Sequence, residues 1–174
     1  MGIIGSPRAG KNEIANFLVK HYNFKKIAFA DQIKEEYFSK TGITEEKYEK
    51  LKKEGKCESV RKKLWDYSKG IKYANGQDHF IKIVFDKISQ DNNWVITDIR
   101  TKFELECVLR EGVTVIFVKR IESEESIKDS ELSIGDIEKF DVIVNDQTMA
   151  ILEENLKEYF GRKLMESEES YKYK

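Results

Sequence analysis

The residues best suited to chemistry stand near the beginning of the chain. Positions 5–11 read GSPRAGK and match the pattern G-x-x-x-x-G-K, between an apolar run at 2–4 and an amphipathic helical pattern. Glycine at both ends permits backbone angles that a side chain forbids, so the N–H groups of the loop can converge on phosphate oxygens at the positive end of the helix. The pattern therefore predicts a phosphate-binding loop. Its predicted phosphate contacts come from Gly5, Ser6, Arg8, Ala9, Gly10, Lys11 and Asn12.

Lys11 is the predicted catalytic cation for the outer phosphates of a nucleotide, although an ordinary strand–helix turn with an exposed lysine is the alternative. A hydroxyl residue usually follows this lysine and ligates Mg²⁺, but here the position is Asn12. An amide oxygen can ligate Mg²⁺ or hold a metal-bound water, and a carboxylate elsewhere must then help. We predict Asn12 and Asp98 as the metal ligands, with a salt-bridged strand end as the alternative for Asp98.

Further polar residues follow the apolar runs, where the carboxyl ends of parallel strands collect ligands. Asp98 and Arg100 follow the run at 94–97, and the planar fork of an arginine is suited to gripping a phosphate. Arg120 follows the run at 113–118 and is the predicted stabiliser of charge on a transferring phosphoryl group. Asn145 follows the run at 141–144, where it is either a contact to a nucleobase or a turn residue.

Two more cations lie on predicted helices near the same rim. Asp31 is a suitable helix N-cap, and Lys34 lies one turn inside that helix. Arg61 lies farther along the chain, with Leu64 three residues later. Each cation by itself is typical of a solvated surface, but their shared position indicates contacts to the phosphate of an acceptor.

The elements that must position these residues alternate along the chain. Short β-branched runs at 2–4, 26–29, 94–97, 113–118 and 141–144 are separated by helical patterns. Runs that are apolar throughout are typical of strands buried on both faces, as in parallel sheets. The order predicts an α/β fold in which a parallel five-stranded sheet is flanked by helices.

The remaining segments predict one domain over residues 1–161 with two additions. Residues 44–88 lack a convincing strand and predict three helices, at 44–54, 58–69 and 78–88, as an insertion. Residues 121–138 are rich in Ser, Glu and Asp and predict a lid over the phosphates. A last helix is predicted at about 148–160, and the charged tail 162–174 is expected to be frayed or disordered.

Composition excludes several classes of protein. The 174 residues include 31 Lys+Arg and 32 Asp+Glu, so a net charge of −1 excludes binding to nucleic acid through bulk charge alone. No apolar run approaches the roughly 18 residues of a membrane span, and no signal peptide is recognisable. Cys57 and Cys107 have neither a disulfide framework nor a metal-site spacing. We expect a cytoplasmic monomer or homodimer without nucleic-acid or membrane partners.

Taken in order, these motifs resemble the deoxynucleoside monophosphate kinase and phosphomevalonate kinase branch of the phosphate-loop kinases, over almost all of residues 1–160. Beyond the loop, FADQIK at 29–34 is similar to the F-A-x-x-[LI]-K segment of that branch, and RKKL at 61–64 resembles its R-x-x-L helix. The further similar motifs are DHFI at 78–81, WVITDIR at 94–100, VKR at 118–120 and DVIVN at 141–145. Lys72 stands where that branch often has an arginine in its insertion.

The resemblance implies a three-layer, Rossmann-like P-loop NTPase fold with a helical acceptor-binding insertion and a lid. It also implies transfer of a phosphoryl group from ATP, with Mg²⁺, to a small phosphorylated acceptor, most typically a (deoxy)nucleoside monophosphate. The acceptor would be held by Lys34, Arg61, Lys72 and Arg100.

Other functions are also consistent with the sequence. Phosphomevalonate kinase-like activity is one alternative, and dephospho-coenzyme A kinase-like activity ranks lower because Asp98-Ile-Arg100 departs from the strand end of that branch. A nucleotide-binding regulator without strong catalysis is favoured by Asn12 and the acidic lid. A nucleic-acid-associated helper is suggested by lysine clusters such as 52–53, but these alternate with glutamates, as on a solvated helix.

Overall fold

The computed structural model describes residues 1–88, 92–120, 139–145 and 148–172. At its centre is a five-stranded, all-parallel sheet with the strand order β2-β3-β1-β4-β5. The strands are β1 (Gly2–Gly5), β2 (Phe24–Ile27), β3 (Asn93–Ile96), β4 (Val115–Lys119) and β5 (Asp141–Val144). The predicted parallel five-stranded sheet is therefore confirmed.

Seven helices surround the sheet in the described residues. They are α1 (Lys11–Tyr22), α2 (Phe29–Thr41), α3 (Glu45–Lys53), α4 (Glu58–Asn75), α5 (His79–Lys87), α6 (Lys102–Arg110) and α7 (Met149–Lys172). Successive strand residues point to opposite faces, so Ile3 joins the buried cluster under α1 and α7, whereas Ile4 joins the cluster under α5 and α6. The result is a three-layer α/β fold, as the alternating pattern predicted.

The helices α3 and α4 pack with α2 around a small core of their own. Its buried residues are Tyr37, Phe38, Tyr48, Cys57, Val60 and Leu64. Thr44 caps α3, because its side chain accepts a hydrogen bond from the amide of Lys47 at 3.2 Å. Cys57 and Cys107 are both buried thiols without a disulfide.

Several element boundaries differ from the prediction, and α4 continues to Asn75 instead of ending at residue 69. Strand β2 lies at Phe24–Ile27 rather than at 26–29, because α2 already begins at Phe29. Asp31 therefore lies inside the first turn of α2 and does not cap it.

The last helix is longer than predicted, since it continues to Lys172 instead of ending near residue 160. The tail expected to be frayed or disordered is thus helical through residue 172. Lys, Glu and Arg are good helix formers, and Glu158 and Arg162 form an i,i+4 pair on this helix, at 3.8 Å.

The strand order decides what surrounds the glycine loop at 5–11. Because all strands run the same way, the loop after β1, Asp98 after β3, Arg120 after β4 and Asn145 after β5 lie along one rim of the sheet. Strand β1 is central, between β3 and β4, so the loop has neighbours on both sides.

Candidate active site

The loop between β1 and α1 has the backbone that its glycines were expected to provide. Gly5 has a φ of +148° and Gly10 a φ of +102°, both in the region that favours glycine. A Cβ at Gly5 would collide with the carbonyl oxygen of Val118, and one at Gly10 would collide with the side chain of Asn145. Arg8 also has a positive φ, of 65°. The loop is therefore both tightly bent and closely enclosed by neighbouring strands.

Lys11 lies folded along this loop. Its Nζ donates hydrogen bonds to the carbonyl oxygens of Gly5 at 2.6 Å and Ser6 at 2.7 Å. The pKa of Lys11 is lowered to about 8, chiefly by burial and then by the positive charge of Arg100, whereas the charge of Asp98 acts in the opposite direction. An anion bound beside Lys11 would favour the ammonium form again, so the site is electrostatically suited to phosphate.

Asn145 holds the loop from the other side. Its Nδ2 donates to the carbonyl oxygen of Ala9 at 2.9 Å, and its backbone N–H donates to the carbonyl oxygen of Lys119 at 2.8 Å. The side chain thus connects the end of β5 to the loop. The sequence did not indicate this positioning role, and the contact to a nucleobase stays a prediction.

Asp98 caps α2, which no sequence pattern indicated. Its Oδ1 accepts a hydrogen bond from the amide of Phe29 and its Oδ2 one from the amide of Ala30, both at 2.8 Å. Burial raises the pKa of Asp98 to about 6, although these two amides and Arg100 act in the opposite direction. The carboxylate consequently fixes the start of α2 against the end of β3, beside the phosphate loop.

The predicted metal ligands do not form an open divalent-cation site. The Oδ1 of Asn12 accepts a hydrogen bond from the Nζ of Lys26 at 2.9 Å, so the oxygen predicted to ligate the metal is already bonded to an ammonium. Both oxygens of Asp98 are engaged as a helix cap. Across the part of the chain that the structure describes, no group of three or more His, Cys, Asp and Glu side chains could hold a metal ion. The arrangement at Asn12 does not fit Mg²⁺.

The four predicted acceptor-binding residues line one cleft of roughly 890 Å³ between α2, α4 and the start of α6. Asp98 lies in the same cleft, which connects it with the phosphate-loop rim. The basic lining residues are Lys34, Arg61, Lys69, Lys72 and Arg100, and the acidic ones are Asp98 and Glu104. The cleft is therefore rich in positive charge, and two of its lining residues, Asp98 and Arg100, lie near enough to Lys11 to affect its pKa.

The cations differ in how firmly they are held. The pKa of Lys34 is raised, because the hydrogen bond to Asp31 at 2.8 Å and nearby acidic charges outweigh the lowering effect of burial. Lys72 lies 3.7 Å from the Oε1 of Glu104, whose other carboxylate oxygen closes a capping box at the start of α6. Lys34 and Lys72 are thus positioned by acids, whereas Arg61 and Arg100 are exposed in the cleft wall.

The cleft also contains aromatic side chains that the sequence analysis missed. Trp65 is 63% exposed and Tyr73 is 95% exposed, which is unusual for large aromatic residues. The signal was present in the spacing, because positions 61, 65, 69 and 73 recur every four residues on one face of α4. Phe103 on α6 lines the cleft as well.

Two predictions near the rim lie at or beyond the limit of the described residues. Arg120 follows β4 directly and is exposed, and its role in charge stabilisation stays a prediction. The predicted lid at 121–138 lies outside the described residues.

Comparisons with known proteins identify no family for this chain. No protein-family model matches it, and no curated protein matches it. No helix among the described residues has the length and apolar character needed to cross a membrane. Among solved structures, the chain is similar to an unliganded sugar kinase from Janibacter sp. HTCC2649, with 13% identity, 92% of each chain covered and a TM-score of 0.43. A likeness at this level carries no argument about activity.

Proposed function

We propose that the protein is an ATP-dependent phosphotransferase that acts on a small phosphorylated acceptor, in the first place a (deoxy)nucleoside monophosphate. The observation that carries this proposal is the juxtaposition of two sites. The glycine loop with Lys11 is suited to a triphosphate, and the cationic cleft beside it shares Asp98 and Arg100 with the same rim.

The donor site uses the loop backbone and Lys11. The amide groups in the first turn of α1 form the positive end of that helix, where a phosphate group is stabilised. Lys11 already lies along this loop, held by the carbonyl oxygens of Gly5 and Ser6. If a phosphate oxygen replaced these two carbonyl oxygens as the acceptor, the ammonium of Lys11 would interact with a full negative charge instead of with two dipoles.

The acceptor site combines charge with flat apolar surface. Arg100 and Lys72 face a cleft in which basic side chains outnumber acidic ones, as a phosphorylated ligand requires. Trp65, Tyr73 and Phe103 offer ring faces on which a planar base can stack. A phosphorylated acceptor with an aromatic ring therefore fits the cleft better than a plain sugar or an aliphatic phosphate.

The proposed reaction asks for positioning rather than for covalent chemistry by the protein. An oxygen of the acceptor phosphate bonds to the γ-phosphorus of ATP while the bond to the bridging oxygen breaks, and ADP leaves with that electron pair. Lys11 and Arg120 would neutralise the charge that develops on the transferring group. Asp98 would hold α2 in place, so that Lys34 on α2 faces the acceptor. Because Asn12 does not fit a metal ion here, the charge on the transferring group would be met by these side chains of the protein.

A coupled assay for ADP release tests the proposal. The acceptors would be the nucleoside and deoxynucleoside monophosphates, phosphomevalonate, dephospho-coenzyme A and simple sugars. We expect turnover with at least one monophosphate and a loss of about two orders of magnitude or more in Lys11→Ala, because the main cation at the transferring phosphates is removed. Lys20→Ala, at the far end of α1, is the matched control and should keep wild-type turnover. Equal turnover in both variants would refute the proposal.

A nucleotide-binding regulator without catalysis is the second candidate. It is favoured by the contact between Asn12 and Lys26, which leaves the usual metal-ligand position occupied by an ammonium. Calorimetry would distinguish the two functions. Binding of ATP together with no ADP release for any acceptor would support the regulator.

A further inference from the structure

Lys26 is a second lysine at the phosphate loop that no sequence motif indicated. It lies on β2, and its Nζ is 2.9 Å from the Oδ1 of Asn12 in the first turn of α1. Because successive strand residues alternate, the preceding Lys25 points elsewhere and lies over the ring of Trp94, 5.6 Å from its centroid. Only one of the two adjacent lysines is therefore directed at the loop.

Lys26 adds an exposed positive charge at the start of α1. The N-terminus of α1 carries the positive end of the helix dipole, where anions are favoured. The ammonium of Lys26 lies at Asn12 in the first turn of α1, and that of Lys11 lies at Gly5 and Ser6 in the loop that precedes it. A group with several negative charges bound at this loop would be attracted by both ammonium groups.

We propose that Lys26 binds the phosphates of the nucleotide together with Lys11 and supplies there the positive charge that a divalent cation ordinarily supplies. This inference rests on the proposed function, since it assigns a residue to the donor site. Asn12 directly follows Lys11, so an ammonium bonded to Asn12 lies at the start of α1, where the proposed donor site would hold the outer phosphates. The amide Oδ1 positions that ammonium without neutralising it, which a carboxylate at the same place would do. Nucleotide binding is accordingly independent of Mg²⁺.

The test is to measure the affinity for ATP by calorimetry, once with Mg²⁺ and once with a chelator present. The wild-type protein should bind ATP with similar affinity in both conditions. Lys26→Met should weaken binding about tenfold to a hundredfold in the chelator, as expected for the loss of one charge-assisted contact. Lys25→Met is the matched control, because it removes the neighbouring lysine that faces away, and its affinity should stay within about twofold of wild type.

A double variant adds a second readout that a merely structural role for Lys26 would not move. Combining Lys26→Met with Asn12→Thr restores the hydroxyl that usually follows the loop lysine. This variant should recover its affinity for ATP only when Mg²⁺ is added.

The possible failures are distinguishable. Equal affinities of Lys26→Met and Lys25→Met, or a wild-type protein that loses affinity when Mg²⁺ is chelated, would overturn the role of Lys26 alone. A wild-type protein that binds no nucleotide in either condition would overturn the proposed function as well.

Discussion

Replacing Asp98 with asparagine removes a negative charge from a partly buried position while keeping the shape of the side chain. In the wild-type protein both carboxylate oxygens accept amide hydrogen bonds, from Phe29 and Ala30. An asparagine side chain has only one oxygen, so one amide at the start of α2 would lose its acceptor. That loss costs about 1–3 kcal/mol while Asp98 is ionised.

The pH dependence of the free energy of unfolding tests the raised pKa of Asp98. Burial raises the pKa of Asp98 from 3.8 to about 6, and this interval corresponds to roughly 3 kcal/mol against the ionised form in the folded protein. Between these two values the folded state binds more protons than the unfolded state, so the contribution of Asp98 to stability rises as the pH falls. From pH 7 to pH 5 the gain is about 1 kcal/mol.

Urea-induced unfolding of the wild-type protein and Asp98→Asn at pH 7 and pH 5 measures this gain. The free energy of unfolding of the wild type, relative to the variant, should be about 1 kcal/mol higher at pH 5 than at pH 7. Asp66→Asn, at an exposed position on α4, is the control and has no burial to relieve.

The direction in which the relative stability changes between pH 7 and pH 5 tests whether the pKa of Asp98 is raised. A relative stability that falls toward pH 5 would show that the hydrogen bonds to Asp98 and the charge of Arg100 outweigh the cost of burial. The pKa of Asp98 would then be lowered, not raised, in the folded protein. No difference at all would show that Asp98 is effectively solvated.

Two further predictions concern the loop. Gly10→Ala should lower the free energy of unfolding by about 1–3 kcal/mol and abolish ATP binding, because its φ is +102° and the new Cβ would collide with Asn145. Gly112→Ala, which also has a positive φ of +71° but nothing within 4 Å, should show only the backbone cost and leave ATP binding intact; equal losses of binding would contradict the enclosure of the loop. Calorimetry at pH 8.5 in two buffers should detect proton uptake on ATP binding, because phosphate raises the pKa of Lys11 from about 8. Lys11→Met should take up no proton, and uptake that persists in this variant would assign the effect to another group.

Local patterns could be predicted because they depend on neighbouring residues. The loop at 5–11 needs glycine where the backbone is strained, and the structure has positive φ at Gly5 and Gly10. The apolar runs predicted five parallel strands because a strand buried on both faces must be apolar throughout. The same principle placed Asp98, Arg100 and Asn145 along one rim.

The partners of these side chains could not be predicted in this way. Asp98 and Phe29 are 69 residues apart, and Asn145 and Ala9 are 136 apart. Each of these residue types is common at turns and caps, so its type does not reveal which distant backbone group it meets. The aromatic face of α4 was detectable from spacing, but its exposure depended on which helices covered it.

The residue pattern alone was enough to predict the glycine loop at 5–11, the parallel sheet and the rim that carries the polar residues, because glycine geometry and strand burial are short-range properties. The contacts by which Asp98 caps α2, Asn145 holds the loop and Lys26 reaches Asn12 appear only in the folded chain. These contacts depend on how β2, β3 and β5 are placed around β1, and that placement follows from the packing of the whole core rather than from any one segment.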